Sequence, residues 1–274
     1  MTRSVAQWLA AEPFTLVLSA GFFGFYAHAG LILALDEAGL RPRRIVGTSA
    51  GAIAGGVWAS GVPASDLLDL LEDLTRADFW DPTWRELPGA LRRRARSRSG
   101  SSARDPDPGT ALGLLRGRKL DALLADALAP VGVERIEDCA IPFAAVTHEL
   151  RANQTRVHEF GLLRPAIRAS AALPVMFGPV EIEGRLHADG GISDRPGFRA
   201  LEPNERALYH HLPHRSRWPR LSGDEQAERR STADRVVLAL DELPRVHPTA
   251  LDRGPVALFH ARNAARRWLE SPRS

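Results

Sequence analysis

Residues 45–56, "IVGTSAGAIAGG", set one serine between two glycines where a β-branched run gives way to a run of small residues. G-x-S-x-G at a strand-to-helix corner is typical of a nucleophile elbow, a turn too tight for side chains at the glycine positions. We therefore predict that Ser49 is a nucleophile in a strained conformation, with Gly47 and Gly51 as the glycines that the turn requires. Because the same pattern also occurs by chance in glycine-rich turns, it does not identify a site alone.

Strand-like and helix-like runs alternate on both sides of this corner. "FTLVLS" predicts a strand, residues 25–38 a helix that ends at Gly39, and "RRIVG" the strand that enters the elbow. "AGAIAGGVWASG" predicts the helix behind Ser49, and "PASDLLDLLEDLTRADF" one amphipathic helix capped near Ser65. This alternation favours an α/β fold with a mostly parallel central sheet and helices on both faces.

The remaining apolar runs continue this organisation. "ALGLLRGRKLDALLADALAP" has a helical pattern, "CAIPFAAVTHEL" and "TRVHEF" predict strands, and residues 234–270 predict a last strand and helix. "VEIEGRLHADGG" predicts a hairpin that turns at Glu183 and Gly184. Asp189 ends its second strand, and Gly190 and Gly191 let the backbone turn sharply and bring that carboxylate close to another loop.

Composition limits the classes of protein that the chain can belong to. With 274 residues, of which 44% are apolar, we expect one domain over 1–274 with its core in residues 14–201. The single cysteine, Cys139, excludes an internal disulfide framework and a cysteine-based zinc cluster, and it fits a reducing, cytoplasmic compartment. The net charge of +3 is weak support for an anionic partner, and we expect no nucleic-acid binding.

Residues 14–35 carry no Asp, Glu, Lys or Arg and are long enough to cross a bilayer. They divide, however, into a strand-like run, a break at residues 20–24 and a helix-like run that contains His28. We therefore predict a strand, a loop and a buried helix rather than a membrane span.

Two later segments are polar. Residues 92–104 hold six arginines and no acid, which predicts a mobile surface loop over about 85–110, with peripheral contact to an anionic membrane surface as the alternative. Residues 201–235 are rich in arginine and histidine, and we expect His210, His211 and His214 to lie on the surface rather than to bind a metal. The sequence carries no signal for an oligomeric state.

Taken in order, the motifs are a small-residue loop at 19–24, G-T-S-A-G at 47–51, "ASAALPVMFGPV" at 169–180 and D-G-G at 189–191. From about residue 14 to residue 201 this order resembles the patatin-like phospholipases. The resemblance implies a three-layer patatin-like sandwich and a lipid acyl hydrolase. Such an enzyme cleaves carboxylic ester bonds of phospholipids or other acyl lipids through an acyl-serine and needs no metal or cofactor.

The resemblance also implies roles for individual residues. Ser49 matches the nucleophile and Asp189 the base of a Ser-Asp dyad, while the backbone N–H groups of Gly21 and Phe22 are our choice for the oxyanion hole. The chain departs from the family pattern here, because residues 19–24 read S-A-G-F-F-G instead of three consecutive glycines, and the usual arginine is missing. Since an aspartate has an ordinary pKa of about 3.9, burial must raise its proton affinity before it can act as a base.

Three alternatives stay open. An α/β-hydrolase would use a Ser-His-Asp triad, but a serine at position 49 leaves too little chain before the elbow; its histidine would be one of His210, His214, His247 and His260. A nucleotide-binding module would need G-x-G-x-x-G, which is absent. A catalytically inactive lipid-binding relative would fit the altered loop. The candidates for an acyl groove, at spacings where a core role is the more common one, are Phe22, Phe23, Phe25, Tyr26, Val175, Met176 and Phe177.

Overall fold

The computed structural model describes residues 3–82, 113–213 and 224–273. Its strands are β1 (Thr15–Leu18), β2 (Arg44–Thr48), β3 (Gly113–Leu115), β4 (Phe143–Glu149), β5 (Gln154–His158), β6 (Val175–Phe177), β7 (Val180–Ile182), β8 (Arg185–Asp189), β9 (Ala207–His211) and β10 (Arg235–Ala239). Its α-helices are α1 (Val5–Ala11), α2 (Phe25–Glu37), α3 (Ala50–Ala59), α4 (Ala64–Glu72), α5 (Arg76–Phe79), α6 (Arg118–Leu128), α7 (Leu163–Ser170), α8 (Glu225–Glu228) and α9 (Arg253–Glu270).

The central sheet runs in the order β10-β9-β1-β2-β4-β8-β7, with β5 also paired to β4. Its first five strands are mutually parallel, and β5, β7 and β8 join by antiparallel pairing. Helices flank this mostly parallel sheet, so the predicted α/β class is confirmed. β3 and β6 form a separate two-stranded sheet.

Strand β4 brings the elbow and the hairpin together. On one edge β4 pairs with β5 from Ala145 to Glu149, so β2 and β8 share the other edge. Thr48, the last residue of β2, lies opposite Val146, and Asp189, the last residue of β8, lies opposite Thr147. The two strands therefore meet end to end along β4, and the residue after Thr48 is Ser49.

The strands alternate strictly between two cores, as expected for a sheet buried on both faces. One face carries Leu16, Leu18 and Ile45 against the large core that α2, α3 and α9 cover. The other carries Val17, Val46 and Tyr209 against a smaller core that includes Phe198 and Leu201. Every residue of β1, β4 and β9 is buried. Side chains at the strand ends thus have a rigid support.

Most of the predicted elements are confirmed. The helix over 25–38, the strand entering the elbow, the helix behind it and the hairpin with positive φ at Glu183 and Gly184 all form. Residues 14–35 contain β1, a loop and α2, as predicted. Within the described residues, no helix is both long and apolar enough to cross a membrane.

Two predicted helices are wrong in extent. The helical pattern before Leu128 begins only at Arg118, because Gly117 adopts a left-handed conformation and residues 113–115 pair with β6 instead. The single helix predicted after Pro63 is divided, because the Thr75 backbone and hydroxyl hydrogen-bond to Asp78 and begin α5 as a separate helix. α4 itself begins at Ala64, with Pro63 rather than Ser65 at its N-cap.

The expectation for the 201–235 segment is wrong. It contains β9, a fully buried strand between β1 and β10, so His210 and His211 lie in the interior and not on the surface. The polar, histidine-rich composition gave no sign of a buried strand, because the histidines are hydrogen-bonded inside the fold, His210 to His28 and His211 to Tyr209. His214, the predicted loop at about 85–110 and the arginines of 92–104 lie outside the described residues.

Candidate active site

The elbow is a strained turn in which Ser49 adopts φ 56° and ψ −117° directly before α3. A Cβ at Gly51 would stand 2.1 Å from the Leu18 carbonyl oxygen, and one at Gly47 would stand 2.5 Å from the Ala52 Cα. Both contacts are with backbone, so a larger residue could enter only if the chain moved. The two glycines therefore let α3 start directly against the ends of β1 and β2.

The structure brings Ser49 and Asp189 into direct contact. The Ser49 hydroxyl donates a hydrogen bond of 2.6 Å to Oδ2 of Asp189, while the other carboxylate oxygen accepts one of 2.8 Å from the Gly191 N–H. The Asp189 backbone N–H donates to the Ala172 carbonyl. The carboxylate is thus fixed from both sides with one oxygen directed at the serine.

The environment of Asp189 makes its carboxylate a stronger base than usual. The side chain is buried, and this desolvation raises its pKa from 3.8 to about 6. Hydrogen bonds from Ser49 and Gly191 and the charge of Arg195 oppose that rise without cancelling it. At neutral pH the group is ionised yet holds a proton well, which suits general-base chemistry.

Ser170 is a site residue that sequence reasoning missed. Its Oγ accepts a hydrogen bond of 2.9 Å from the Ser49 backbone N–H and donates one of 2.6 Å to the Val146 carbonyl. The hydroxyl therefore ties the strained elbow to β4. The motif "ASAALP" contains Ser170, but nothing in its sequence surroundings indicates a contact 121 positions away.

The D-G-G turn is as tight as the elbow. A Cβ at Gly190 would stand 2.2 Å from the Val146 carbonyl oxygen, so this residue must pass directly over β4. A Cβ at Gly191 would stand 3.0 Å from the Ala20 side chain and 3.0 Å from Asp189 Oδ1. The turn therefore places the carboxylate beside the loop that joins β1 to α2.

This β1–α2 loop (residues 19–24) is the predicted source of the oxyanion hole. The Gly24 N–H closes a turn onto the Gly21 carbonyl, and the Ala20 N–H donates to the Arg195 carbonyl. No described residue accepts a hydrogen bond from the N–H groups of Gly21 or Phe22. These two donors are therefore available, while that of Ala20 is occupied.

The triad candidates that the structure describes, His210, His247 and His260, lie away from Ser49 and Asp189. Among the described residues, no histidine hydrogen-bonds to Ser49 or Asp189. His210 is buried behind the β1–α2 loop, and His247 and His260 are exposed. Within the same residues, no group of three His, Cys, Asp or Glu side chains is placed to hold a metal ion.

The groove candidates divide by exposure. Tyr26 and Phe177 are buried core residues, so neither is available to a ligand. Phe22 and Val175 are each 56% exposed. Phe23, Phe25 and Met176 lie between these extremes and pack against the core.

Comparison with known proteins gives a consistent result. Residues 16–201 match the family model described as patatin-like phospholipase. An uncharacterised NTE family protein of Mycobacterium tuberculosis is 36% identical over 180 residues, which are 65% of this chain and 42% of that protein. The neuropathy target esterase sws of Drosophila sechellia is 25% identical over 197 residues, or 70% of this chain and 12% of that protein. The chain thus spans less than half the length of either relative.

The fold also occurs in a solved structure. The crystal structure of VipD from Legionella pneumophila aligns with a TM-score of 0.54 and 16% identity, covering 95% of this chain and 67% of that one. At this level of identity the likeness concerns the fold alone.

Proposed function

The chain belongs to the patatin-like phospholipase family, and from this premise we propose that it hydrolyses carboxylic ester bonds of acyl lipids, with Ser49 as nucleophile and Asp189 as general base. The observation that carries the proposal is the 2.6 Å hydrogen bond from the Ser49 hydroxyl to a buried carboxylate. Phospholipids and other acyl lipids both contain the bond that this chemistry attacks.

In the first step the Ser49 oxygen attacks the ester carbonyl carbon, and the hydroxyl proton passes to Asp189. The carbonyl oxygen becomes an oxyanion that the Gly21 and Phe22 N–H groups stabilise. Such a donor contributes about 3–4 kcal/mol to transition states of this kind. When the intermediate collapses, Asp189 returns the proton to the leaving alcohol, and the acyl group stays on Ser49.

In the second step a water molecule attacks the acyl-serine ester. Asp189 takes the proton of the water, and the new intermediate expels the Ser49 oxygen, which regains a proton from Asp189. The products are a fatty acid and free enzyme. One carboxylate thus acts as base and acid in turn, which fits a pKa raised to about 6.

A fluorophosphonate probe and a panel of lipid esters test this proposal. Wild-type protein should be labelled and should release fatty acid from at least one ester, whereas Ser49→Ala should do neither. Equal labelling of both proteins would overturn the assignment of Ser49. Labelling of the wild type without turnover of any lipid ester would instead favour an inactive lipid-binding relative.

We propose that any contact with a membrane is peripheral. The described residues contain no helix able to cross one, and the sequence supplies six arginines within 92–104 for anionic head groups. Protein bound to anionic vesicles should be released by alkaline carbonate. Resistance to that extraction would contradict the proposal.

A further inference from the structure

Two buried histidines lie behind the β1–α2 loop, and neither hydrogen-bonds to Ser49 or Asp189. His28 on α2 and His210 on β9 are both fully buried, with their Nδ1 atoms 2.9 Å apart and their ring planes at 85°. His28 Nε2 lies 2.9 Å from the carbonyl oxygen of Ser19, the first residue of the loop. The pair therefore connects the core to the loop.

The hydrogen-bond partners determine where the protons are. A carbonyl oxygen only accepts, so His28 Nε2 must carry a hydrogen and donate to Ser19. In a neutral ring the other nitrogen, Nδ1, then has a lone pair, so His210 must donate to it from its own Nδ1–H. The two hydrogen bonds thus form a chain in which His210 donates to His28 and His28 donates to the Ser19 carbonyl.

Both rings are neutral at neutral pH. Burial lowers the pKa of His28 to about 4, and it lowers the pKa of His210 well below 6.5. The positive charge of Arg195 lowers the pKa of His28 further, and the neighbouring His211 lowers that of His210. Because the pKa of Asp189 is about 6 and that of His28 is about 4, acidification protonates the carboxylate before His28.

The hydrogen bonds around Ser19 fix one peptide unit of the loop. His28 binds its carbonyl oxygen, and the Arg195 carbonyl accepts from the N–H of Ala20 at the other end. The Ser19 hydroxyl also accepts from the Leu212 N–H at 3.0 Å, and the Leu212 side chain fills the space beside Gly21 and Gly24. The next N–H groups along the chain are those of Gly21 and Phe22.

We propose that His28 and His210 are positioning residues of the hydrolase, which hold the Ser19–Ala20 peptide and thereby set the direction of the Gly21 and Phe22 N–H groups. This inference rests on the proposed function of the loop as an oxyanion hole. The family pattern places consecutive glycines here, whereas this chain has Ser19 and Ala20. In this altered loop, the hydrogen bond from the buried histidine pair to the Ser19 carbonyl restrains the backbone.

Removal of the restraint should lower kcat rather than raise KM, because the N–H groups act on the oxyanion and not on the bound ester. A displacement of about 1 Å at a catalytic group can reduce the rate about 100-fold. We expect His28→Leu and His210→Leu to lose kcat on this scale with KM within about twofold of wild type.

Conservative variants separate positioning from packing. In His28→Gln the amide N–H₂ can take the place of Nε2–H on the Ser19 carbonyl, and in His210→Asn the amide can take the place of Nδ1–H. Both should recover most of the kcat that the leucine variants lose. If His28→Leu folds and keeps the wild-type kcat, or if His28→Gln is as impaired as His28→Leu, the proposal is overturned.

A second measurement does not depend on activity. At pH 7 the ring ¹⁵N resonances should show the Nε2–H tautomer for His28 and the Nδ1–H tautomer for His210. The Gly21 and Phe22 amide resonances should shift in His28→Leu and return in His28→Gln. The opposite tautomers, or unchanged amides in His28→Leu, would overturn the proposal even in an active enzyme. A wild type that hydrolyses no ester but shows these tautomers and shifts would overturn the proposed function, and with it the catalytic role of the pair, while the restraint on the loop would stand.

Discussion

The two sides of the candidate site are constructed differently. The elbow depends on five consecutive residues, in which Gly47 and Gly51 leave room for backbone and Ser49 takes the strained conformation between them. The β1–α2 loop opposite is held by residues much later in the chain. His210 contacts His28 across 182 positions, Leu212 contacts Ser19 across 193, and the Arg195 carbonyl accepts from the Ala20 N–H. The elbow is therefore recognisable from its own sequence, whereas the contacts that hold the loop are visible only in the fold.

The difference shows what each side requires. A nucleophile needs one exact backbone turn, which glycine spacing supplies locally. An oxyanion hole needs only that N–H groups point at one place, and many sequences can achieve this if distant residues hold the loop. Substitutions in the elbow and substitutions around the β1–α2 loop should accordingly impair hydrolysis in different ways.

The largest effect is expected from Asp189→Asn, which keeps the shape of the side chain and removes its basic lone pair. We expect kcat to fall by about 10⁴-fold or more, as for other members of catalytic groups. Stability should change in the opposite direction, because burial raises the pKa of this carboxyl from 3.8 to about 6. The ionised carboxylate thus destabilises the folded state at pH 8, by about 3 kcal/mol.

Thermal unfolding against pH provides the control. The folded state binds the Asp189 proton more tightly than the unfolded state, so the destabilisation is complete above pH 6 and disappears as the pH falls towards 4. Asp189→Asn should therefore be more stable than wild type at pH 8, with a difference that shrinks below pH 6. If Asp189→Asn were less stable than wild type at pH 8, burial of the ionised carboxylate would not destabilise the folded state.

The next largest effect is expected from Gly51→Ala. The new methyl group would stand 2.1 Å from the Leu18 carbonyl oxygen, so either α3 or the end of β1 must move. We expect kcat to fall by about 100-fold, because the elbow and the start of the β1–α2 loop are displaced together. Steady-state hydrolysis of the ester found for wild type measures this loss.

Gly39→Ala is the matched control for this substitution. Gly39 has φ +65° and no atom within 4 Å of an added Cβ, so alanine there meets backbone strain but no collision. It should cost about 1 kcal/mol of stability and leave kcat unchanged. If Gly51→Ala retained wild-type kcat, the glycine spacing would not be a requirement of the elbow.

These cases show how far sequence reasoning reaches. The elbow, the D-G-G turn and the alternation of strands and helices were predictable, because glycine geometry and apolar periodicity act over a few residues. The end-to-end meeting of β2 and β8 on β4 was not, since strand register depends on partners far away in the chain. The contact of Ser170 with Ser49 was missed for a similar reason, because it depends on how α7 packs against β4 and the elbow.

Strand β9 shows a different limit. Its sequence "ALYHH" has two histidines in a polar, arginine-rich neighbourhood, which indicated an exposed segment. In the fold, His210 is hydrogen-bonded to His28, and His211 is hydrogen-bonded to Tyr209 and Glu225. Because these partners satisfy the ring nitrogens that they contact, both histidines can be buried in the sheet. Burial of polar side chains depends on partners that local composition does not reveal.

A smaller effect is expected from Ser170→Ala, which removes the hydroxyl between the elbow and β4. The Ser49 N–H then loses its acceptor, and we expect kcat to fall about tenfold as the strained turn relaxes, with about 1–2 kcal/mol of stability lost. Ser60→Ala is the control, because among the described residues its buried hydroxyl bonds only to the Val57 carbonyl, one turn earlier in the chain. Equal loss of kcat in the two variants would mean that Ser170 contributes stability alone.

The smallest effect is expected from His247→Gln and His260→Gln, which test whether a triad exists. Both histidines are exposed, and the acceptor of the Ser49 hydroxyl is the Asp189 carboxylate, so neither ring has a proton to receive. Each variant should keep kcat within about twofold of wild type, since surface substitutions away from a site change little. His210 does not serve for this test, because its substitution disturbs the β1–α2 loop. If either exposed histidine proved essential in a folded protein, the serine would need a base other than Asp189, and the contrast between a locally encoded elbow and a remotely held loop would no longer describe the catalytic groups.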